Sequence, residues 1–461
     1  MTPSPTTEHV PTIGPPAVGP PAVGPDRTRE RRRLNTRLKL ATQMGQGIDG
    51  YVIGGMGMAM GAITADLHLS PLTEGLVGAS PLIGIFLGGP VFGRLADRFG
   101  RRPVFLVDML IFLVGSVLQF FVADGLQLFL IRLVMGVAIG CEYAIGAPLL
   151  SEYAPRRGRG RLLASLEISW YGGYALATVV GALFSEVDEG WRWSLSSSAV
   201  IAVVCLALRG GIPESARWLL SRGHREEAEA LIEKYGIEID VSAELDDRAG
   251  SHRAGFRALF SRRHVRSTVF ASFFWAALVL PYFAIGTFWT QVFAALDMGG
   301  NAVAAALVYA FTAVAGVTAG CLVVDRIGRR KLLIPPFWIT AGCLALVAVW
   351  PTCTPVVVGG FLFFIFLNAA SSSLTAVYPL EVFPTSLRST GVGFATAMSR
   401  VGAAVGTFLL PMGLARFGVE FVLLVGAGVL AAGGLVSQML APETTNMDLV
   451  AAARAARGGD A

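Results

Sequence analysis

"GRLADRFGRR" occupies Gly93 to Arg102, and "VVDRIGRR" occupies Val323 to Arg330. Each charged stretch is wedged between long apolar runs, and the acids Asp97 and Asp325 are separated by an offset of 325 − 97 = 228. Two further pairs keep step. "ExxPxxxR" occurs as Glu152, Pro155, Arg159 and again as Glu381, Pro384, Arg388, an offset of 381 − 152 = 229. "PES" from Pro213 returns as "PET" from Pro442, an offset of 442 − 213 = 229. Three charged motifs repeating at essentially one offset predict a chain made of two homologous halves.

The apolar runs say what those halves are. Of 461 residues 54% are hydrophobic and 15% charged, where soluble domains carry about a quarter charged residues; the mean hydropathy is +0.61. About twenty apolar residues cross a hydrocarbon layer as a helix, and runs of that length predict twelve spans near residues 40–64, 72–93, 103–122, 127–149, 162–184, 192–210, 267–295, 302–323, 332–350, 355–377, 390–411 and 419–440. The runs are continuously apolar instead of alternating, which predicts helices and excludes a barrel. The expected fold is an all-α polytopic membrane protein of two six-helix pseudo-symmetric bundles, the parallel-repeat plan of carriers that rock two halves around a central site. Its expected divisions are a disordered tail over 1–36, a bundle over 37–212, a helical linker over 213–266, a bundle over 267–441 and a tail over 442–461.

Arg and Lys fall in every second connection: "RTRERRRLNTRLK", "RLADRFGRR", "PRRGRGR", the segment Pro213–Arg266, "DRIGRRK" and "FPTSLR". That asymmetry predicts a multi-pass protein of the cytoplasmic membrane with both termini cytoplasmic. It also accounts for the net charge of +5 without nucleic acid as a partner. The Pro/Gly tract "GPPAVGPPAVGP" cannot build a core and lacks the apolar region of a signal peptide. Cys141, Cys205, Cys321, Cys343 and Cys353 make no metal or CxxC spacing, so neither a metal site nor a cofactor is expected. All five histidines lie outside the spans, which leaves carboxylates to carry any proton relay. There is no P-loop and no catalytic-triad spacing, so an enzyme is not expected.

These motifs resemble the major facilitator superfamily, in its sugar-porter-like branch, which also holds metabolite and organic-ion transporters. "PESARWL" (Pro213–Leu219) is similar to that branch's PESPRWL, with Ala216 in place of the second proline; "GIDGYVIGG" (Gly47–Gly55), "RLVMGVAIG" (Arg132–Gly140) and "YPLEVFPTSLRSTGVG" (Tyr378–Gly393) match its first span, fourth span and the loop before its eleventh. The resemblance covers about residues 40 to 445. It implies alternating access, and the charged loops read either as a cytoplasmic gate of Asp97, Arg101, Arg102, Glu152, Arg159, Asp325, Arg329, Glu381 and Arg388 that closes by charge pairing or as plain topology signals.

Ionisable residues inside spans each cost roughly 2.5 to 3.5 kcal/mol unless paired or hydrated, and therefore mark function. Five stand out: Asp49, Arg132, Glu142, Glu167 and Arg400. Asp49 lies roughly 15 Å into the first span at about 1.5 Å per residue, with Arg400 similarly deep in the eleventh. In the proton-coupled sugar porters that the branch resembles, an acid and an arginine at the positions of Asp49 and Arg132 form the coupling pair. The alternative is a static pair locking two helices. Glu142 and Glu167 are read either as further protonation sites or substrate contacts, or as structural glue that bonds Tyr143 or each other.

The substrate side departs from the sugar pattern. The seventh span, "SFFWAALVLPYFAIGTFWTQ", has Gln291 as its only amide where hexose porters place two glutamines and an asparagine, and the tenth reads "FLFFIFLNAASSS" without the Pro-Trp pair. Candidate substrate contacts are Arg400, Asn368, Gln291, Trp170, Tyr282 and Trp275. "MSRVGAAVGTFLLP" (Met398–Pro411) is similar to organic anion carriers, which place an arginine where Arg400 stands, and a midplane arginine with no acid in its own half points to an anionic group on the substrate. The sequence thus predicts a secondary active transporter of a small polar organic metabolite, an organic acid or a sugar-like molecule, working in the bilayer as a monomer in symport with protons. Efflux by proton antiport and a transport-inactive receptor of the same fold are the alternatives.

Overall fold

The computed structural model describes residues 25–153, 159–235, 256–296 and 302–444, and every regular element among them is a helix. In the first half, span 1 is Pro25–Asp66, span 2 Pro71–Phe99, span 3 Arg101–Leu118, span 4 Gly125–Tyr153 and span 5 Arg159–Leu183; span 6 is the pair Gly190–Ser196 and Ser198–Arg209. In the second half, span 7 is Val265–Thr287 followed by Trp289–Ala295, span 8 Ala302–Ile327, span 9 Arg329–Val349 and span 10 Thr354–Ser372, with Tyr378–Val382 beyond a short turn. Spans 11 and 12 run as Thr385–Leu440, broken at Gly418 by φ 82°. Each apolar run read from the sequence falls on one of these helices. One expectation is corrected. The tail placed at 1–36 is helical from Pro25 onward, because its Arg, Glu and Leu are good helix formers and because Leu34 and Leu38 are buried in a cluster with Ile212 and Ala216.

The halves repeat in their packing as well as in their motifs. In lipid no hydrophobic force drives helix against helix, so small residues that let backbones touch decide which spans pair. A Cβ on Gly84 would fall on the Leu133 carbonyl and one on Gly88 on the Val137 carbonyl, which joins span 2 to span 4; on Gly316 and Gly320 it would strike the Phe366 and Ala370 carbonyls, which joins span 8 to span 10. Span 5 meets span 1 where Gly173 abuts Gly47, and span 11 meets span 7 where Gly402 abuts Ala276. Both members of the second contact follow those of the first at the offset of the motifs (402 − 173 = 276 − 47 = 229).

The repeated octets make helix starts. Gly100 and Gly328 take φ of 101° and 97°, a left-handed region that glycine enters without cost, and spans 3 and 9 begin directly after them. The first free N–H groups of span 3 are accepted by the "PES" glutamate: Arg101 N donates to Glu214 Oε1 at 2.9 Å and Arg102 N to Oε2 at 3.2 Å. Span 9 repeats this with the "PET" glutamate, Arg329 N and Arg330 N each donating to Glu443 at 3.1 Å. A carboxylate at a helix N-terminus satisfies orphan donors and opposes the macrodipole. The octets and the PES and PET motifs, far apart in sequence, are thus two sides of one contact.

Of the expected gate residues, Asp97 offers its backbone carbonyl to Trp218 Nε1 at 2.9 Å and Arg222 Nη2 at 2.8 Å. Arg329 forms an ion pair with Glu381 at 3.0 Å, and Thr444 donates to the same carboxylate. Arg388 is half-buried in the first turn of span 11. The side chains of Glu152, Arg159 and Asp325 lie outside the described residues. Each of these contacts is internal to one half.

The described hydrogen bonds and closest backbone approaches between halves gather toward the other end, away from the octets. Tyr174 Oη donates to the Gly286 carbonyl at 2.9 Å, and Thr290 Oγ1 to the Gly57 carbonyl at 3.4 Å. A Cβ on Gly75 would strike the Phe408 carbonyl and one on Gly57 the Trp289 ring. In this state the end opposite the octets is the sealed one.

Candidate functional site

Between the halves, below that seal, lies a cavity lined by Glu167, Trp170 and Tyr171 of span 5, Tyr143 of span 4, Trp275, Tyr282 and Phe283 of span 7, Asn368 and Ser372 of span 10, and Arg400 of span 11. Its empty space is about 470 Å³ with the open mouth included. Five of the six substrate-contact candidates read from the sequence, Arg400, Asn368, Trp170, Tyr282 and Trp275, meet here. The sixth does not. The seventh apolar run breaks at Phe288, so Gln291 sits on a separate short helix and donates to Glu74, which also accepts from Thr64 Oγ1 at 2.6 Å. That bond belongs to the seal.

Arg400 is 5% exposed. Its guanidinium stands 5.0 Å from the Tyr143 ring centre and 5.8 Å from that of Phe283, one aromatic from each half. The charge that acts on Glu167 is Arg400. The sequence shows no acid for the arginine in its own half; the acid comes from the other half, across the cavity. Trp170 Nε1 is buried with no hydrogen-bond partner, and Asn368 Nδ2 donates to the Leu278 carbonyl at 3.0 Å. The cavity therefore offers one cation, one anion, an unused indole donor and aromatic walls. Such a set has the chemistry to hold a small molecule with a flat or apolar body and a charged end.

The remaining ionisable candidates form a second group, buried within the first half. Glu142 Oε2 accepts from Arg209 Nη2 at 2.5 Å, Asp108 Oδ1 from Arg209 Nη1 at 2.7 Å, and Nη1 also donates to the Phe105 carbonyl at 2.7 Å. The guanidinium lies 3.5 Å from the Phe105 ring centre. Asp49 is fully buried beside this group, and both its carboxylate oxygens lack a hydrogen-bond partner among the described residues. Asp108 and Arg209 were not singled out by the sequence. Asp108 lies inside the third run, and Arg209 stands at the octet end of span 6, where arginine reads as an orientation signal.

The expected Asp49–Arg132 contact is not made. Arg132 Nη1 donates to Gln119 Oε1 at 3.2 Å and Nη2 to the Val52 carbonyl at 3.0 Å, so its fork is aimed nearly a turn beyond Asp49, away from the octet end. Spacing along two helices places residues at one depth; it does not set the angle at which a side chain leaves the helix. Glu142, read as a partner for Glu167 or Tyr143, is held by Arg209 instead.

Glycine makes room for this group. A Cβ on Gly45 would fall on Glu142 Oε1 and Arg209 Nη2, and one on Gly146 would lie 2.6 Å from Glu142 Oε1. Gly45→Ala should therefore destabilise the detergent-solubilised protein by about 1–3 kcal/mol, the usual cost of overpacking, read as a lower thermal midpoint. Gly172→Ala, whose Cβ would meet nothing within 4 Å, should leave the midpoint unchanged or raised.

The chain matches the family described as "Sugar (and other) transporter" over residues 39–455. It is 39% identical over 406 residues to the inner membrane metabolite transport protein YgcS of Escherichia coli, which covers 88% of this chain and 90% of that one. It is 26% identical to the niacin transporter NiaP of Acinetobacter baylyi, over 88% and 93% of the two chains. Among solved structures, the inward-open xylose transporter XylE from E. coli superposes with a TM-score of 0.77 at 20% identity, over 90% of this chain and 98% of that one. XylE described as a proton:xylose symporter and bound to 6-bromo-6-deoxy-D-glucose superposes with a TM-score of 0.73 at 19% identity, over 91% and 98%. With two repeated six-helix halves, a cavity between them and a family match over nine-tenths of its length, the chain belongs to the sugar (and other) transporter family of the major facilitator superfamily, as a multi-pass membrane transporter.

Proposed function

We propose that the protein carries a small organic acid, or a sugar-like metabolite bearing an acidic group, across the cytoplasmic membrane by alternating access and in symport with protons, with both termini cytoplasmic. The observation that carries this reading is Arg400 of one half facing Glu167 of the other across a cavity with aromatic walls. Empty, the two charges cancel. When a monoanion enters and takes the guanidinium, Glu167 loses its counter-ion, and a buried uncompensated carboxylate is far more costly than a protonated one. Uptake of one proton with one anion restores neutrality, and that step is the cavity's part in the coupling.

The orientation follows from the arginine-rich octet end lying in the cytoplasm, which makes the present state open toward the cytoplasm and sealed outside. The octet residues act as the gate when that end closes. The relatives named above transport metabolites and niacin, and the shared fold includes a proton:xylose symporter; these weigh toward uptake of nutrients over efflux. The test is made in proteoliposomes with labelled nicotinate as a flat monoanion and D-xylose as a neutral sugar. Expected are counterflow of the carboxylate and its accumulation when the interior is made alkaline. Exchange of the sugar with none of the carboxylate would overturn the acid reading, and accumulation indifferent to the pH gradient would overturn symport.

A further inference from the structure

The group around Arg209 has a charge count that its surroundings cannot tolerate. Three carboxylates, Asp49, Asp108 and Glu142, meet one guanidinium, and Asp49, Glu142 and Arg209 are each 0–1% exposed, with Asp108 equally buried. Every packed element contributes: Asp49 from span 1, Asp108 from span 3, Glu142 and Cys141 from span 4, Arg209 and Cys205 from span 6. The charges acting on Asp49 are Glu142, Asp108, Arg209 and, across the interface, Arg400; Arg400 is itself balanced by Glu167. Arg132 is turned away, to Gln119 and Val52. Fully ionised, the group carries a net charge of −2. An isolated buried charge of that size is not sustained.

Geometry says where the balance is restored. Asp108 and Glu142 each give one oxygen to Arg209, which holds the two carboxyls on one guanidinium, and their remaining oxygens, Asp108 Oδ2 and Glu142 Oε1, have no donor among the described residues. One guanidinium balances only one of the two carboxylates, so the pair is neutral with one proton bound. Asp49 has no donor on either oxygen. The second half gives an internal control: at the offset of the motifs, Asp49, Asp108, Glu142 and Arg209 become Leu278, Phe337, Ser371 and Gln438. A six-helix half of this fold is therefore built without the charges.

We propose that Asp49, Asp108 and Glu142 around Arg209 form a proton-binding site separate from the substrate cavity, holding two protons in this state, one on Asp49 and one on the Asp108–Glu142 pair. Arg209 is its fixed counter-ion and sets the number. The site deepens the symport reading, since it supplies a proton store on the octet side of the first half.

The count gives the test. Infrared difference titration of the purified full chain near neutral pH, with no substrate present, reads the carbonyl band of buried protonated carboxyls. Relative to wild type, Asp49→Asn, Asp108→Asn and Glu142→Gln should each remove one carboxyl equivalent. Arg209→Gln should add one, and Arg209→Lys should change nothing. The double variant Asp108→Asn/Arg209→Gln, which loses one charge of each sign, should return to the wild-type count, and it serves where Arg209→Gln alone does not fold. A band that ignores Asp108→Asn and the double variant alike, or that falls in Arg209→Gln, overturns the proposal. The readout is independent of transport: if uptake proves indifferent to pH while the counts shift as stated, the site stands and the symport reading falls.

Discussion

Asp49→Asn is expected to abolish uphill, proton-driven uptake and to retain exchange of labelled for unlabelled substrate. Asparagine has the shape of the protonated acid without its titration, so the variant is locked in one protonation state. Exchange needs only a loaded carrier that reorients, and a neutral side chain does not oppose reorientation. Net uptake also needs the unloaded carrier to return, which in the wild type follows proton release from the site. The accumulation ratio should therefore fall to equilibrium with the exchange rate largely kept. The burial of Asp49, with neither oxygen bonded, is why a single neutral substitution should have so large an effect without disturbing the fold. A variant that still concentrates substrate against its gradient would remove Asp49 from the coupling path.

Much of this architecture is legible in the sequence because it rests on one-dimensional signals. The offsets of Asp97 to Asp325 and Pro213 to Pro442 register the two halves, and hydropathy places the spans, since both depend only on position along the chain. What escapes is angular. Arg132 and Asp49 share a depth, yet the Val52 carbonyl and Gln119 hold the arginine elsewhere. Gln291 is read as part of a continuous span, and one break at Phe288 moves it to the seal. Arg209 is the most instructive miss. It stands shortly before "ESA" in an arginine-rich connection, where it reads as a topology signal, and only the convergence of spans 3, 4 and 6 makes it the centre of a buried group. The glycines that admit Glu142, Gly45 and Gly146, carry the signal that points to it: small residues one turn from an acid on two helices mark a place where backbone yields space to a side chain.

Arg400→Lys is expected to weaken substrate binding by roughly ten- to a hundredfold, corresponding to about 1.5–3 kcal/mol for a lost hydrogen bond to a charged group, while expression and helix insertion stay intact. Lysine keeps the charge that balances Glu167, so the empty cavity remains neutral and the fold has no reason to fail. It loses the planar fork that grips a carboxylate through two parallel bonds. Its compact, strongly hydrated ammonium also stacks poorly between the Tyr143 and Phe283 rings, 5.0 and 5.8 Å from the guanidinium. The contrast with Glu167→Gln separates the two roles. Removing the acid leaves the arginine without its rival, so an anionic substrate should bind the Glu167→Gln protein at least as tightly as wild type, with the pH dependence of binding lost. If the arginine were structural, satisfied by Tyr143 and backbone alone, lysine would lower stability and leave affinity unchanged. Loss of affinity with stability retained, together with pH-independent binding in the glutamine variant, is the pattern that only an anion exchanging with Glu167 at Arg400 produces.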